Sequence, residues 1–544
     1  MLGERGRNGD KLDNNEKRGH RGGMKRVMVR KDSYFDSVFL MLISTDVKKL
    51  PGIAEAVVAM GTEMNRDLIA GMGLSTDEIA AATANDLIIA VDAEDEDAVS
   101  RAQTAVDELL RKKSSSDEGS TYKPSTLTAA MKSVPEANLA IISLPGEFAA
   151  REARKALDAG VHVMMFSDNV PVEQEVALKK IAVERGLLMM GPDCGTAIIN
   201  GRPICFANVV PRGPIGIVAA SGTGLQEVSC AIAGAGSGVS QALGTGGRDI
   251  KEETVGGMMM LQCIEALGDD PRTEVIVVVS KPPKASLTPR VIKALEKTGK
   301  PAVVHFVGTD PAADAGNVTY AGNLSAAARV AVAIAAGRTS QAADASREFD
   351  LPESEIDAIV NREREKIAAS QKYLRGLFAG GTLTDEAAAV LSGPLGGVHS
   401  FDAADPALKL KDPQISEGHT IVDLGEDVFT VGRPHPMIDP SIRTERLDRE
   451  ADDPQMALLL LDCVLGYGSH ADPAGAMVAS IKSAKQKATD RGGYLPVVVS
   501  ITGTDEDPQG RAAQQAKLEA AGCVVMPTNY QAARLAQRIL EGRH

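Results

Sequence analysis

The sequence predicts an α/β protein made of successive parallel strand–helix units behind a small α+β module. Three observations lead there. Runs such as "VIVVVS" (275–280) and "ALLLLDC" (457–463) are nearly all apolar, as strands buried on both faces of a parallel sheet are. Segments of helical period separate these runs. Two pairs of segments also recur in the same order. "DDPRTEVIVVVS" (269–280) matches "DDPQMALLLLDC" (452–463), and "KPAVVHFVGTDP" (300–311) matches "LPVVVSITGTDEDP" (495–508). Two matches in register predict a divergent internal repeat of one α/β domain.

The chain has 544 residues, enough for about three or four domains. Only 3% of it is aromatic, so its cores must be built from Ala, Val, Ile, Leu and Met. A net charge of −14 excludes a general nucleic-acid binder, which needs a basic surface. The six cysteines form no CxxC pair and have no His at ligand spacing, which predicts reduced thiols and no metal site. Cys194, in a loop after "GPD", is the thiol most open to exposure, while a buried or incidental thiol remains the default. No apolar run has membrane length, and the amino terminus has no signal-peptide core. The expectation is a cytoplasmic protein without membrane or nucleic-acid partners.

Residues 1–23 are polar and rich in Gly and Arg, and are expected to be a disordered extension, with Met24 as an alternative start. The small α+β module covers 24–112, with strands at "RVMVR", "AEAVVAMGT" and "LIIAVDA" and a helix at "DEDAVSRAQTAVDELLRKK". A Ser-rich linker follows at 113–125. An α/β block is expected at 126–212, a second at 213–340, a helical linker at 341–369 and a last α/β block at 370–544.

"IGIVAASGTGL" (215–225) joins a strand to a helix through Ser221, Gly222, Thr223 and Gly224. This is either a tight turn or a phosphate cradle, because a helix N-terminus offers unpaired N–H groups and partial positive charge. "GTGGRD" (244–249) ends the next strand and adds Gly246, Gly247 and Arg248, whose guanidinium can pair with phosphate. Neither loop is a P-loop. "VGRPHPMIDPSIR" (431–443) gathers Arg433, His435, Asp439 and Arg443, and "GYGSHADP" (466–473) adds His470 and Asp472. His can exchange protons near neutrality, and Arg433 and Arg443 can hold carboxylates. His435, Arg433 and His470 are the catalytic candidates. His305, inside "AVVHFVG", reads as a core histidine, and Tyr467 as a packing residue.

The stretches "EARKALDAGVHVMMFSDNVP", "GLLMMGPDCGTAII", "GPIGIVAASGTGLQEV" and "GTGGRD" resemble the α subunit of succinyl-CoA synthetase and its acyl-CoA synthetase relatives. "VVVSITGTDEDPQGRAAQQAKLEAAG" is similar to the carboxyl-terminal ligase domain of the β subunit. With "MVRKDSYFDSVFLMLISTDVKKLPGI", the whole from residue 25 resembles the FdrA family. The resemblance implies a CoA-binding-like Rossmann unit at 126–212 and two flavodoxin-like ligase domains. It also implies that Ser221, Gly222 and Thr223 bind a phosphoryl group. CoA is the one cofactor it suggests, although no Gly-rich strand–turn–helix precedes residue 126.

Two departures bear on the reaction. The region matching the synthetases' phosphohistidine loop, "DAGNVTYAGNLS" (314–325), has no His. Ser280-Lys281 stands where their supporting glutamate would be. A phosphohistidine relay without its nucleophile cannot run in the usual way. The resemblance therefore implies an enzyme acting on a ready-made acyl phosphate. FdrA proteins are associated with purine (allantoin) breakdown and a multi-subunit carbamoyltransferase linking oxamate and oxalurate. Two alternatives stand beside it: an ADP-forming acyl-CoA ligase completed by partner subunits, and a non-catalytic scaffold. The expected partners are small acyl phosphates and carboxylates, together with other subunits of a hetero-oligomer.

Overall fold

The computed structural model describes residues 24–31, 33, 35, 37–71, 73–74, 76–115, 124, 126–338 and 347–542. The expected extension 1–23 lies outside them, as do 116–123 and 125 of the expected linker and 341–346 of the helical linker. The chain divides into two compact units. The first runs through residue 121 and includes Gly432–Pro434; the second holds the rest.

The first unit is an antiparallel sheet of three strands in the order Met24–Arg30, Leu87–Ala93, Ile53–Met60. The period of two divides its central strand cleanly. Leu87, Ile89, Val91 and Ala93 join a core with Leu40, Ile43 and Val47 of the Ser37–Lys48 helix and Ala98, Ala102 and Val106 of the Glu96–Ser115 helix. Ile88 and Ala90 face a second core with Ile69, Leu74 and Ile79. The Glu96–Ser115 helix runs three residues into the stretch expected to be linker.

Among the described residues, the second unit has three sheets. The first has three parallel strands in the order Leu139–Ile142, His162–Met165, Met189–Met190. The second has seven strands, in the order Val318–Tyr320, Ala302–Phe306, Val275–Ser280, Arg212–Ala219, Val239–Gly244, Thr196–Ile199, Arg202–Cys205. Its last two strands are an antiparallel hairpin on the edge. The sequence placed that hairpin with the preceding block, but its hydrogen bonds belong to this sheet. The third sheet has five parallel strands in the order Thr420–Asp423, Tyr373–Phe378, Met456–Val464, Val497–Thr502, Val524–Met526.

Numbered along the chain, the five parallel strands of the second sheet and the five of the third share one order, 2-1-3-4-5. This is the flavodoxin-like arrangement, which places a ligand crevice beside strand one, at the carboxyl ends of the strands. The repeat seen in the sequence is therefore structural. The matched segments are strands three and four of each copy. Val275–Ser280 and Met456–Val464 are buried at every position, because helices cover both faces.

The two copies share a core. Leu225, Val228 and Ile232, Leu324, Ala328 and Ala331, Leu383, Ala387 and Leu391, and Ala532, Leu535 and Ile539 all belong to one cluster. They come from the helices Gly222–Gly234, Leu324–Ala335, Gly381–Ser392 and Asn529–Leu540, the first and last helix of each copy. A helix between two sheets must be apolar nearly all round, and "LSAAARVAVAIA" is.

A buried ion cluster ties the three-stranded sheet to the second. Lys179 on the Val172–Glu184 helix donates to Glu175 Oε1 at 2.8 Å, Asp249 Oδ1 at 2.8 Å and Thr245 O at 3.2 Å. Asp249 also accepts the Met259 and Met260 N–H groups. Cys194 is buried, 2% exposed, in line with the default for these thiols, and burial pushes its thiol up to about 12. The loop carrying it lies under the seven-stranded sheet, so its thiol is not reactive. His305 is a buried core residue, as expected, with its Nδ1 2.9 Å from Ala321 O. Lys179→Ala leaves buried Asp249 without a cation and Glu175 with Arg248 alone, which costs roughly 3–5 kcal/mol; urea unfolding of the intact chain will show it as a lower midpoint.

Candidate functional site

The Arg212–Ala219 strand ends against Ser221, which is extended and caps the Gly222–Gly234 helix by accepting the Gly224 N–H at 2.9 Å. Gly222 and Thr223 hold the first N–H groups of that helix, which have no intrahelical partner. A Cβ at Gly222 would meet only Thr196 Oγ1, at 3.3 Å, so this helix end has room beside it.

The other copy repeats the geometry. Gly380 caps the Gly381–Ser392 helix after the Tyr373–Phe378 strand. The two helix starts meet, with Ser221 Oγ and Thr382 Oγ1 2.5 Å apart. A Cβ at Gly380 would fall 2.9 Å from Thr223 Cγ2, and one at Gly224 would fall 3.0 Å from Thr382 Cγ2. Glycine is needed at both because the helix starts cross without room for a side chain. Sequence reasoning assigned no role to "AGGT" (379–382). Its alignment with "ASGT" (220–223) was the available signal.

The helix ends differ in charge. In the second copy the Ala379 and Gly380 N–H groups donate to the Asp462 carboxylate at 2.9–3.1 Å. Asp423 Oδ2 lies 2.6 Å from where a Gly381 Cβ would be. The repeat places Val279 where Asp462 stands, and the Ala220 N–H bonds the Val279 carbonyl. One helix start thus already faces protein carboxyls, while the start at Gly222 faces an apolar strand end.

His435 and Asp423 line the second copy's side. Met437 N–H donates to His435 Nδ1 at 3.2 Å, which leaves the ring proton on Nε2. A Cβ at Gly425 would sit 2.4 Å from His435 Nε2 and 3.0 Å from Asp423 Oδ1, so this bare glycine lets imidazole and carboxyl approach. The ring packs beside Phe206, with centroids 5.8 Å apart, and Phe206 beside Phe166 at 5.6 Å. Burial pulls His435 down to about 4, so it is neutral at pH 7 and does not titrate there as the sequence suggested. Asp423 does. Burial pushes it up to about 7 against the Gly425 hydrogen bond, with Glu426 and Asp462 adding to the rise.

The other expected site residues fall as follows. His470 is strapped to the His435 loop by its N–H to Met437 O at 2.7 Å, and its Nδ1 accepts the Asp472 N–H. Asp472 caps the Pro473–Asp490 helix and pairs with Lys517. Asp439 accepts the Ser441 N–H. Arg443 is buried on Asp462 at 2.9 Å and on two carbonyls, so it braces the second helix start and is closed to a substrate carboxylate. Arg433 groups with the first unit.

Arg248, expected on phosphate, is held by Glu175 at 3.0 Å and Val170 O at 2.8 Å. Gly246 lies against Pro192 O, where a Cβ would be 2.2 Å away, while Gly247 has open space. The "GTGGRD" loop is consumed by the joint with the Val172–Glu184 helix, because the buried Glu175 needs its cation. Lys281 pairs with Asp385 at 2.6 Å. Burial pushes Asp193 up to about 6, with Asp168 and Asp427 adding to the rise.

The comparisons with known proteins bear on this site. The chain is 43% identical over 517 residues to the protein YahF of Escherichia coli (strain K12), covering 95% of this chain and 98% of that one. The chain belongs to the FdrA family. Residues 24–126 match the family "AllF, heavy metal-associated domain", and 377–539 match the CoA-ligase family. The succinate–CoA ligase [ADP-forming] subunit alpha of Aquifex aeolicus (strain VF5) is 32% identical over 151 residues, 27% of this chain and 48% of that one. Subunit SauD of the ADP-forming sulfoacetate-CoA ligase of Bilophila wadsworthia (strain 3_1_6) is 24% identical over 232 residues, 41% of this chain and 76% of that one. The FdrA chain is thus a member of the acyl-CoA synthetase superfamily, and matches such as the A. aeolicus one span about half of that relative. No helix among the described residues is long and apolar enough to cross a membrane.

Two ligands suggested by these relationships were tested against the residues. A heavy metal does not fit the first unit: residues 24–126 contain neither Cys nor His. A CoA pyrophosphate does not fit the start of the Gly146–Asp158 helix. A Cβ at Gly146 would lie 2.4–2.5 Å from the Asp168 and Asn169 carbonyl oxygens, so that end faces acceptors.

Two measurements check this subsection. Equilibrium dialysis of the intact chain with Zn(II) or Cu(I) will leave no metal bound at residues 24–126. Asp423 has its folded value raised, so its contribution to stability falls as pH rises from the ordinary carboxylate range to about 7. Asp423→Asn will remove that fall, read as the difference in denaturation midpoint between variant and wild type at pH 5 and pH 8.

Proposed function

We propose that the chain acts on an acyl phosphate, as a subunit of a carbamoyltransferase that interconverts oxalurate plus phosphate with oxamate plus carbamoyl phosphate. The carrying observation is the charge difference between the paired helix starts. The Gly222 end is open and electropositive, the place for a phosphate. The opposite end is lined by Asp423 and Asp462 and suits a neutral group with N–H donors, as a carbamoyl group is.

In the forward direction a phosphate oxygen attacks the carbamoyl carbon of oxalurate. The O–C bond forms, the C–N bond breaks, and the proton of hydrogen phosphate passes to the departing amide nitrogen. No oxidant or further reactant is needed. Asp423, poised near neutrality, takes the proton and returns it. His435 offers its Nε2–H as a neutral donor to the developing oxyanion. Gly222 and Thr223 N–H groups and the Ser221 hydroxyl hold the phosphate. Arg248 acts through Glu175.

A second reading is an ADP-forming acyl-CoA ligase that draws its missing parts from partner subunits. It is favoured by the relatives named above. One assay separates the two, using the protein with its copurifying subunits. Carbamoyl phosphate from oxalurate and phosphate supports the first reading; ADP from ATP, CoA and succinate supports the second.

Gly222→Asp is the sharpest variant. It places a carboxylate on the helix start, where an acid adds about 0.3–1 kcal/mol of stability, while expelling an anion. Calorimetric titration will show phosphate affinity reduced at least about tenfold, roughly 1.4 kcal/mol, in a chain at least as stable as wild type. Unchanged affinity would move the anion elsewhere.

A further inference from the structure

The last helix of each ligase-like copy has one N–H that its own copy does not satisfy. Asn323 caps the Leu324–Ala335 helix by accepting the Ala326 N–H at 2.8 Å, and Thr528 caps the Asn529–Leu540 helix by accepting the Gln531 N–H at 3.3 Å. Such a side chain satisfies the third helical donor and leaves the first one orphaned. The orphans are the N–H groups of Leu324 and Asn529.

Each orphan is taken by a glutamate of the opposite copy. Leu324 N–H donates to Glu386 Oε1 at 2.9 Å, and Asn529 N–H donates to Glu227 Oε1 at 3.0 Å. Glu227 and Glu386 are each the sixth residue of the first helix in their own copy, at equivalent positions of the repeat. Both are 3% exposed. Their second oxygens are also used in the second copy: Glu227 Oε2 accepts Thr502 Oγ1 at 2.5 Å, and Glu386 Oε2 accepts Asn529 Nδ2 at 2.9 Å. A buried carboxyl is costly unless hydrogen-bonded, so this reciprocal arrangement is specific.

We propose that Glu227 and Glu386 are positioning residues that hold the two helix starts in register by reciprocally capping the final helix of the opposite copy. The same rigid helix carries the start at Gly222 and, one and a half turns on, the anchor at Glu227. The Gly381 helix does the same with Glu386. Anchoring each helix to the other copy fixes the Ser221–Thr382 meeting point. The consequence for ligand affinity rests on the anion reading above; the capping contacts do not.

The test uses the intact chain and four variants, Glu227→Ala, Glu227→Gln, Glu386→Ala and Glu386→Gln, with hydrogen exchange and phosphate titration on each. Gln keeps an acceptor oxygen and Ala does not. In the Ala variants, exchange should rise at the capped helix start of the opposite copy, 324–327 or 529–532, and at both crossing points, 221–225 and 380–384. Phosphate affinity should fall about tenfold, the size of a lost buried hydrogen bond, with recovery to within about threefold in the Gln variants. Faster exchange confined to the variant's own helix, or equal effects of Ala and Gln, would overturn the proposal. If the wild type binds no phosphate, the anion reading fails while the exchange pattern still decides the positioning role. If an Ala variant does not fold, Glu→Met, which keeps volume without an acceptor, takes its place.

Discussion

The second unit depends on one close approach: two helix starts, from two copies of one fold, crossing at Ser221 and Thr382. Everything around that point is arranged to permit it. Gly224 and Gly380 remove the side chains that would collide. Four apolar helices close a single core behind it. The core's attraction is non-directional, so it can press the copies together without setting the angle between them. Directional contacts at Glu227 and Glu386 do that.

Duplication explains the symmetry, and divergence explains the chemistry. Each copy carries a helix start at the same place in the same strand order, so an unmodified pair would present two equivalent anion sites. Val279 and Asp462 break the equivalence. A carboxylate in the third strand takes the loop N–H groups of one copy, and Arg443 balances it. The copy without that acid keeps its helix start available. In a chain of net charge −14, that start keeps the partial positive charge of its unpaired N–H groups.

The Rossmann-like segment contributes differently. Its Val172–Glu184 helix carries Lys179 and Glu175, which pair with Asp249 and Arg248. Those charges are spent on each other and on a helix N-terminus. They make the joint with the seven-stranded sheet rigid, and they explain why an arginine in a glycine loop, attractive as a phosphate ligand, is unavailable for that role. The same economy places the Asp168 and Asn169 carbonyls over the Gly146 helix start.

Much of this was legible in the sequence. Continuous apolar runs gave the parallel strands, recurrence of "DDP" before one of them gave the duplication, and "ASGTG" gave the first helix start. Each is a local pattern, set by residues a few positions apart and by the periods of helix and strand. The tertiary structure decided the rest. It paired Arg248 with Glu175, buried Cys194, took His435 out of the physiological titration range and put Asp423 into it. It also joined Glu227 to Asn529 and Glu386 to Leu324, partners separated by 302 and 62 positions. Charge pairing and desolvation depend on distance in space, and no local period encodes which distant groups will meet.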